Sequence, residues 1–408
     1  MWNELANHKK IALNFIFILV IIFAFVFAFD GSKFKSFAQT ENSELETELS
    51  DNISNILDDI DSNELDDYLP SDISLDFFNV STFKVLVTKI LNGTYFDEYD
   101  SLFAFVKDLF FSEIQSVLKV FVSLFVIVVL YVLFKNFCTD KYAEFKNSVK
   151  IIFSLILVLI LCSMFKIIAD NIIETINTLF NFSKILFPIL LSLVLLAGAG
   201  GTHAVYSSLS LFLLNTGSYL FVYVLIPISV SILLLSLFGS IFDSKRFSKI
   251  IDIFKSIFKY VVGIFFGVFG LISAVNLISS GVKDGVSLKL TKFAIKNYVP
   301  IVGGYISEGF DFVHTCSVLV KNAFGVCGIL ILFFIVLKPL ILYFAYLLLF
   351  KILSAVVSLL GVNEYSEVFD NVSKSISYFI SVLVLVFLIL FVFIYLLIVS
   401  VSVVWCDL

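Results

Sequence analysis

The sequence predicts an all-α fold: a polytopic helical membrane protein with an N-terminal signal or anchor and amphipathic or re-entrant helices. Three observations carry this. The 408 residues are 60% hydrophobic, with 49 Phe and only 15% charged residues. Mean hydropathy is +1.05. Several runs are too long and too apolar to leave in water, and inside lipid only a helix satisfies its own backbone hydrogen bonds.

The first element is a targeting segment. His8, Lys9 and Lys10 precede an uncharged run over 11–29, and Ser36-Phe37-Ala38 is the best small-x-small cleavage site. The run is longer than the roughly 7–15 apolar residues of a secretory signal. A cleaved signal and a retained anchor both fit residues 1–38, and either one exports the residues after it.

Next comes an acidic segment, 39–106. Thirteen acids lie between Glu41 and Asp76, and no Lys or Arg occurs between Lys35 and Lys84. It is expected to be largely disordered, since it carries too little apolar surface to offset its chain entropy. Asp59-x-Asp61-x-Asn63 opens like a calcium loop, but Glu64 stands where the turn glycine belongs and Pro70 where the bidentate Glu belongs. The net charge of -6 comes from this segment; the remainder is basic, so the total implies neither nucleic acid nor an acidic partner.

Residues 107–408 are expected to form the polytopic membrane domain. Fifteen-residue uncharged runs at 120–134 and 151–165 are short of about 20. Their flanking Lys119, Lys135, Lys150 and Lys166 can snorkel and extend them. Lysine dominates the connection between them, which makes it cytoplasmic by the positive-inside rule. Lys166, Asp170, Glu174 and Lys184 are expected in a neutral outer loop.

The longest charge-free stretch, 185–242, leads to a second basic segment with Lys245, Arg246, Lys249, Lys255 and Lys259. Going from outside to inside takes an odd number of crossings. Three short spans fit, and so does one crossing plus a re-entrant hairpin. Pro188, Gly200, Gly201, Asn215 and Pro227 supply the candidate breaks, which are tolerated at depth only beside protein or a watery cavity and so are candidate pore-adjacent positions. Kinked ordinary helices are the plainer alternative.

Residues 260–282 form a clean outward span containing Gly263-x-x-x-Gly267 and Gly270. Around Lys338-Pro339 the sequence fits either a kinked span or a hairpin, and 375–406 is long enough for a last crossing. Counting the N-terminal one, the total is about six to eight crossings.

Catalytic chemistry is sparse. The three histidines are His8, His203 and His314, and no H-E-x-x-H, G-x-S-x-G or phosphate-binding loop occurs. Glu308, Asp311 and His314 share roughly one helical face but lack a further ligand, so they read as a solvated face. Cys138, Cys162, Cys316, Cys327 and Cys406 form no C-x-x-C pair. No enzyme, metal site or cofactor is therefore expected. Lys119, Lys135, Lys150, Lys166, Lys259, Lys321 and Lys351 read as span-boundary markers. A transporter would need an intramembrane polar centre, for which only Lys338, His203 and Asn215 are candidates.

Between two spans lies KDGVSLKLTKFAIKNYVPIVGGYISEGFDF, residues 283–312 of an exported segment, 283–321. As a helix, it would put Lys289, Lys292 and Lys296 on one face and Leu288, Leu290, Ala294 and Ile295 on the other. Such a helix suits a membrane surface or a partner's groove. Pro300 would stop it and Gly303-Gly304 would turn the chain. Asp284, Lys289, Lys292, Phe293, Lys296, Asn297, Pro300 and Gly303 make up the candidate assembly surface.

DGVSLKLTKFAIKNYVPIVGG also resembles the pattern D-G-V-[ST]-L…K-F…N-[FY]-x-P-[IV]-x-G of the stage III sporulation protein AE family of endospore-forming bacteria. SVLVKNAFGVCG, over 317–328, is similar to that family's S-x-L-[LV]-K-N-x-x-G entry into a span. LLNTGSYLFVYVLIPI, over 213–228, is similar to its N-T-[GS] segment followed by a proline. The resemblance implies a non-enzymatic mother-cell membrane component of the channel complex joining mother cell and forespore, needed for late forespore development. Its exported face would look onto the intermembrane space. Implied partners are the other stage III A-series proteins, including ring-forming subunits and an ATPase, with self-association a further alternative. A permease supplying the forespore is the competing reading.

Overall fold

The computed structural model describes residues 56, 63–68, 82–91, 99–137, 143–241, 245–298 and 303–406. Every regular element among them is helical. Two short helices, α1 (Asn63–Asp66) and α2 (Phe83–Leu91), precede α3 (Tyr99–Phe137) and α4 (Ala143–Leu196). Next come α5 (Gly200–Phe212), a π-turn (Leu213–Gly217), α6 (Ser218–Leu220), a second π-turn (Phe221–Leu225) and α7 (Ile226–Ile241), in one unbroken rod. The chain closes with α8 (Lys245–Tyr298), α9 (Gly303–Leu359) and α10 (Asn363–Cys406).

Six of these stretches are long and apolar enough to cross a membrane: Lys107–Phe137, Ser148–Leu196, Gly200–Ser240, Phe247–Ala274, Phe312–Leu359 and Asn363–Ser400. The N-terminal run over 11–29 lies outside the described residues. The helices α9 and α10 form the central pair. Around it, α7 lies on α10, α3 and α4 lie on α9, and α8 covers α5 and α7. Serine is tolerated in these apolar helices because its hydroxyl bonds the carbonyl four residues back. Ser183, Ser229 and Ser236 do so at 2.8, 2.8 and 2.6 Å.

Two turns are glycine-dependent. At the end of α4, Gly198 sits at φ 75°. Its N–H donates to Leu195 O at 2.9 Å while Ala199 N–H donates to Val194 O at 3.2 Å. At the end of α9, Gly361 sits at φ 79°. There Gly361 N–H donates to Ser358 O at 3.0 Å and Val362 N–H to Val357 O at 3.4 Å. Both are the two-bond glycine cap that satisfies the last helical carbonyls and reverses the chain, with an apolar contact across it.

Several expectations are corrected here. Lys166, Asp170, Glu174 and Lys184 occupy no outer loop; they lie on one continuous helix, α4, whose 54 residues span about 81 Å at 1.5 Å per residue. The region 185–242 does not form three short spans. Its first part ends α4, residues 197–199 turn, and a single rod follows. Pro188 and Pro339 sit inside unbroken helices, so the Lys338-Pro339 step is no hairpin. A proline removes one backbone bond and crowds the carbonyl four residues back. In a rod of more than 50 residues held by neighbours, that loss is local. Gly303 and Gly304 open α9 rather than making the turn.

The acidic segment is also not wholly a loose linker. Phe83, Leu86, Val87 and Ile90 are buried at i, i+3, i+4 and i+7 of α2. Leu65 of α1 is buried with them, and the α2 N-terminus is held by Phe83 N–H donating to Asp66 Oδ1 at 2.6 Å. Phe83 meets Phe324 of α9 with ring centroids 5.3 Å apart, and Tyr68 meets Phe182 of α4 at 5.6 Å.

Candidate functional site: a buried lysine and a helical arm

Polar side chains gather in two places along the α9–α10 pair. Near the Gly361 turn they stitch five helices together. Lys150 Nζ of α4 pairs with Glu364 Oε2 of α10 at 2.7 Å. Tyr365 donates from its hydroxyl to Lys150 O at 3.4 Å, lies 3.2 Å from Ser154 Oγ and packs tilted against Tyr131 of α3, ring centroids 4.7 Å apart. Ser354 and Ser366 exchange hydroxyl-to-carbonyl bonds at 2.9 Å each. Asn371 Nδ2 donates to Ser240 Oγ of α7 at 2.7 Å, and Ser373 Oγ to Leu347 O at 3.1 Å.

Toward the opposite end sits Lys321 of α9. Its side chain is fully buried. Nζ donates to two backbone carbonyls of α10, Ile398 O at 2.8 Å and Leu397 O at 3.1 Å. Leu397 O also accepts from Ser400 Oγ at 3.0 Å. The described ion pairs join Lys150 to Glu364, Lys255 to Asp252 and Lys374 to Asp370, so this ammonium has carbonyl dipoles and no carboxylate among the described residues. An uncompensated buried charge is costly, and strong hydrogen bonds are what make it tolerable.

The reach is set by a glycine one turn away. A Cβ on Gly325 would lie 2.6 Å from Ile398 Cδ1, so α10 approaches α9 closely at this level. A Cβ on Gly328 would collide with Leu186 of α4. The expectation for Lys321 as a span-boundary marker is therefore wrong. Because α9 continues back to Gly303, Lys321 lies mid-helix and its side chain points into the bundle. The sequence signal that bears on this is the spacing Lys321 to Gly325, which puts a lysine and a small residue on one face.

The predicted assembly surface falls between the span-capable stretches Phe247–Ala274 and Phe312–Leu359, on an arm formed by the end of α8 and the start of α9. α8 runs on through Tyr298 and α9 begins at Gly303, so 284–297 is helical as expected. Leu290 and Phe293 are exposed. The side chains of Asp284, Lys289, Lys292, Lys296 and Asn297 lie outside those described, as does Pro300 altogether; Gly303 is the first residue of α9.

The candidate pore-adjacent positions do not converge. Pro188, Gly200, Asn215 and Pro227 are exposed and Gly201 is half-buried, and only Gly200 and Gly201 adjoin an interruption of the helix. Pro227 follows directly on the π-turn Phe221–Leu225, a wider turn that relieves the crowding a proline causes. Of the transporter candidates, His203 is half-buried while Asn215 and Lys338 are exposed, on separate elements. His314 is buried rather than on a solvated face; the side chains of Glu308 and Asp311 lie outside those described. No group of three metal-capable side chains occurs among the described residues.

Comparison with known proteins bears on the same stretches. The family described as stage III sporulation protein AE matches residues 81–401. Stage III sporulation protein AE of Bacillus subtilis (strain 168) is 26% identical over 229 residues, covering 56% of this chain and 57% of that relative. The match thus spans little more than half the length of the relative. No solved structure matches.

Proposed function

Because this chain belongs to the stage III sporulation protein AE family, and so to sporulation, we propose that it is a non-enzymatic, multi-pass component of the channel complex linking mother cell and forespore. It sits in the mother-cell membrane around the forespore, with 283–311 facing the intermembrane space. There the arm docks other stage III A-series proteins, the ring-forming subunits first, while the ATPase works from the cytoplasmic side.

The observation that carries this reading is the arm itself. α8 and α9 have 54 and 57 residues, about 80–85 Å each at 1.5 Å per residue, against a hydrocarbon layer of about 30 Å. Much of each rod must therefore stand clear of the membrane. Exposed Leu290 on the α8 side gives the arm an apolar contact to offer. Lys289, Lys292 and Lys296 recur at helical spacing for charge pairing.

Deleting the gene in an endospore-forming host should stop development after engulfment, and normal spores would refute the proposal. Reversing the three lysines to Glu should keep the protein in the membrane and reduce its recovery with the ring-forming subunits. Unchanged recovery would remove the arm from the interface.

A permease reading draws on one observation, the buried Lys321, since ionisable groups inside spans often mark transport pathways. Its carbonyl partners favour a fixed structural role instead.

A further inference from the structure

The rod from Gly200 to Ser240 contains no charged residue and is long and apolar enough to span a membrane. Around its middle the outward face is nonetheless largely polar. Between 204 and 223 the exposed residues are Ala204, Ser208, Leu211, Asn215, Thr216, Tyr219 and Tyr223, so Leu211 is the one large aliphatic side chain in the stripe. The outward face of α3 is different in kind, with exposed Val122, Val126, Leu130 and Leu133. Branched aliphatic side chains suit lipid. A carboxamide and a row of hydroxyls do not, and in membrane proteins such groups turn to protein or to water.

The backbone holds this face straight. Residues four apart on an ideal helix of 3.6 residues per turn drift by about 40° at each step. The wider π-turns Leu213–Gly217 and Phe221–Leu225 take up that drift, so Asn215, Tyr219 and Tyr223 stay aligned and exposed. Such bulges recur at functional positions.

Two features favour a copy of the same chain as the occupant. Carboxamide and hydroxyl groups each donate and accept, so this stripe is complementary to itself. It carries no charge to repel its duplicate. Copies in one membrane share one orientation, so a two-fold axis along the membrane normal would set Asn215 against Asn215. At the Gly200 end Ala204 and Ser208 are small, and a Cβ on Gly200 would meet nothing within 4 Å, which leaves room for a second helix.

We propose that this face is where two copies of the chain meet, in parallel about a two-fold axis, with Asn215 near the centre of the contact. The proposal is independent of the docking role given to the α8–α9 arm and survives its failure.

Site-specific crosslinking in native membranes tests it. In the full-length chain, Cys138, Cys162 and Cys406 are replaced by Ser, and one cysteine is introduced at a time: Ser208→Cys, Asn215→Cys or Tyr219→Cys, with Val126→Cys as the exposed control. A disulfide needs Cβ atoms about 4 Å apart, so same-position bridging reports two-fold contact directly. Mild oxidation of cells carrying two differently tagged copies should give a dimer containing both tags. It should form severalfold more at Asn215→Cys and at one or both flanking positions than at Val126→Cys. No enrichment over the control at any of the three overturns the proposal. So does a bridge to a different protein.

Discussion

Lys321 offers a test in which three substitutions at one position should separate. Lys321→Met keeps an unbranched side chain of similar length and removes the buried charge. The two carbonyls it abandons, Leu397 O and Ile398 O, lie inside α10 and can still accept within the helix, so no polar group is stranded. Loss of two charge-assisted bonds, about 1.5–3 kcal/mol each, is set against relief of a desolvation cost of several kcal/mol, for a net change within about 1–2 kcal/mol. Lys321→Ala leaves a void where the side chain is 0% exposed, and large-to-small core changes cost about 2–5 kcal/mol. Lys321→Glu places a carboxylate against two carbonyl oxygens, which adds repulsion to an unpaired buried charge and should exceed about 3–5 kcal/mol. Thermal retention of a monodisperse peak in detergent gives the ranking, expected as wild type ≈ Met > Ala > Glu. Spore yield gives the second axis, with Met close to wild type. A Met variant as unstable as Glu would refute the desolvation balance. A Met variant that folds normally but makes no spores would show that the charge itself is used, and would move the balance toward the permease reading.

Two smaller predictions rest on the same physics. Gly361→Ala forces a Cβ into φ 79° and should cost about 1–2 kcal/mol; the cost should show as a lower midpoint in thermal unfolding, whereas Gly267→Ala, inside a helix with open space around it, should keep the midpoint or raise it. At the Gly361 end, Glu364→Gln removes a partly exposed ion pair with Lys150 and should change stability by less than about 1 kcal/mol. Tyr365→Phe removes the hydroxyl facing Ser154 and Lys150 O in a buried layer and should cost more, about 1–3 kcal/mol, because buried partners are left behind. Equal effects in limited proteolysis would show that the layer contributes as solvated charge rather than as a buried network.

A feature is legible in the sequence when the interaction behind it has a side-chain signature. Apolar runs bounded by lysine mark α3 and the first half of α4, because lipid imposes a length and lysine marks its edge. The turn before Gly200 was legible in AGAGG, since a reversal at φ 75° needs glycine. Continuity was not: a charged stripe such as Lys166 to Lys184 looks like a loop by composition, yet it is the outer face of a helix whose other face, with Ile168, Ile172, Ile176 and Leu179, is buried. The period of those four residues was in the sequence, and the count of charges obscured it. The same holds for Phe83, Leu86, Val87 and Ile90, an i, i+3, i+4, i+7 set at the end of an acidic segment.

Lys321 stands apart because its partners are backbone carbonyls, and carbonyls are the same at every position. Only the register between α9 and α10 selects Leu397 O and Ile398 O, 76 and 77 residues away, and the close approach at Gly325 holds that register. Phe324, one turn on from Lys321 and buried beside it, is where α2 lands through Phe83. The acidic segment is therefore anchored to the same level of α9 that the lysine pins to α10. A change that loosens that pin should loosen α2 as well. Protease cleavage after the acidic segment should then rise in Lys321→Ala and not in Lys321→Met, and a rise in both would place the anchor of α2 in the charge rather than in the packing.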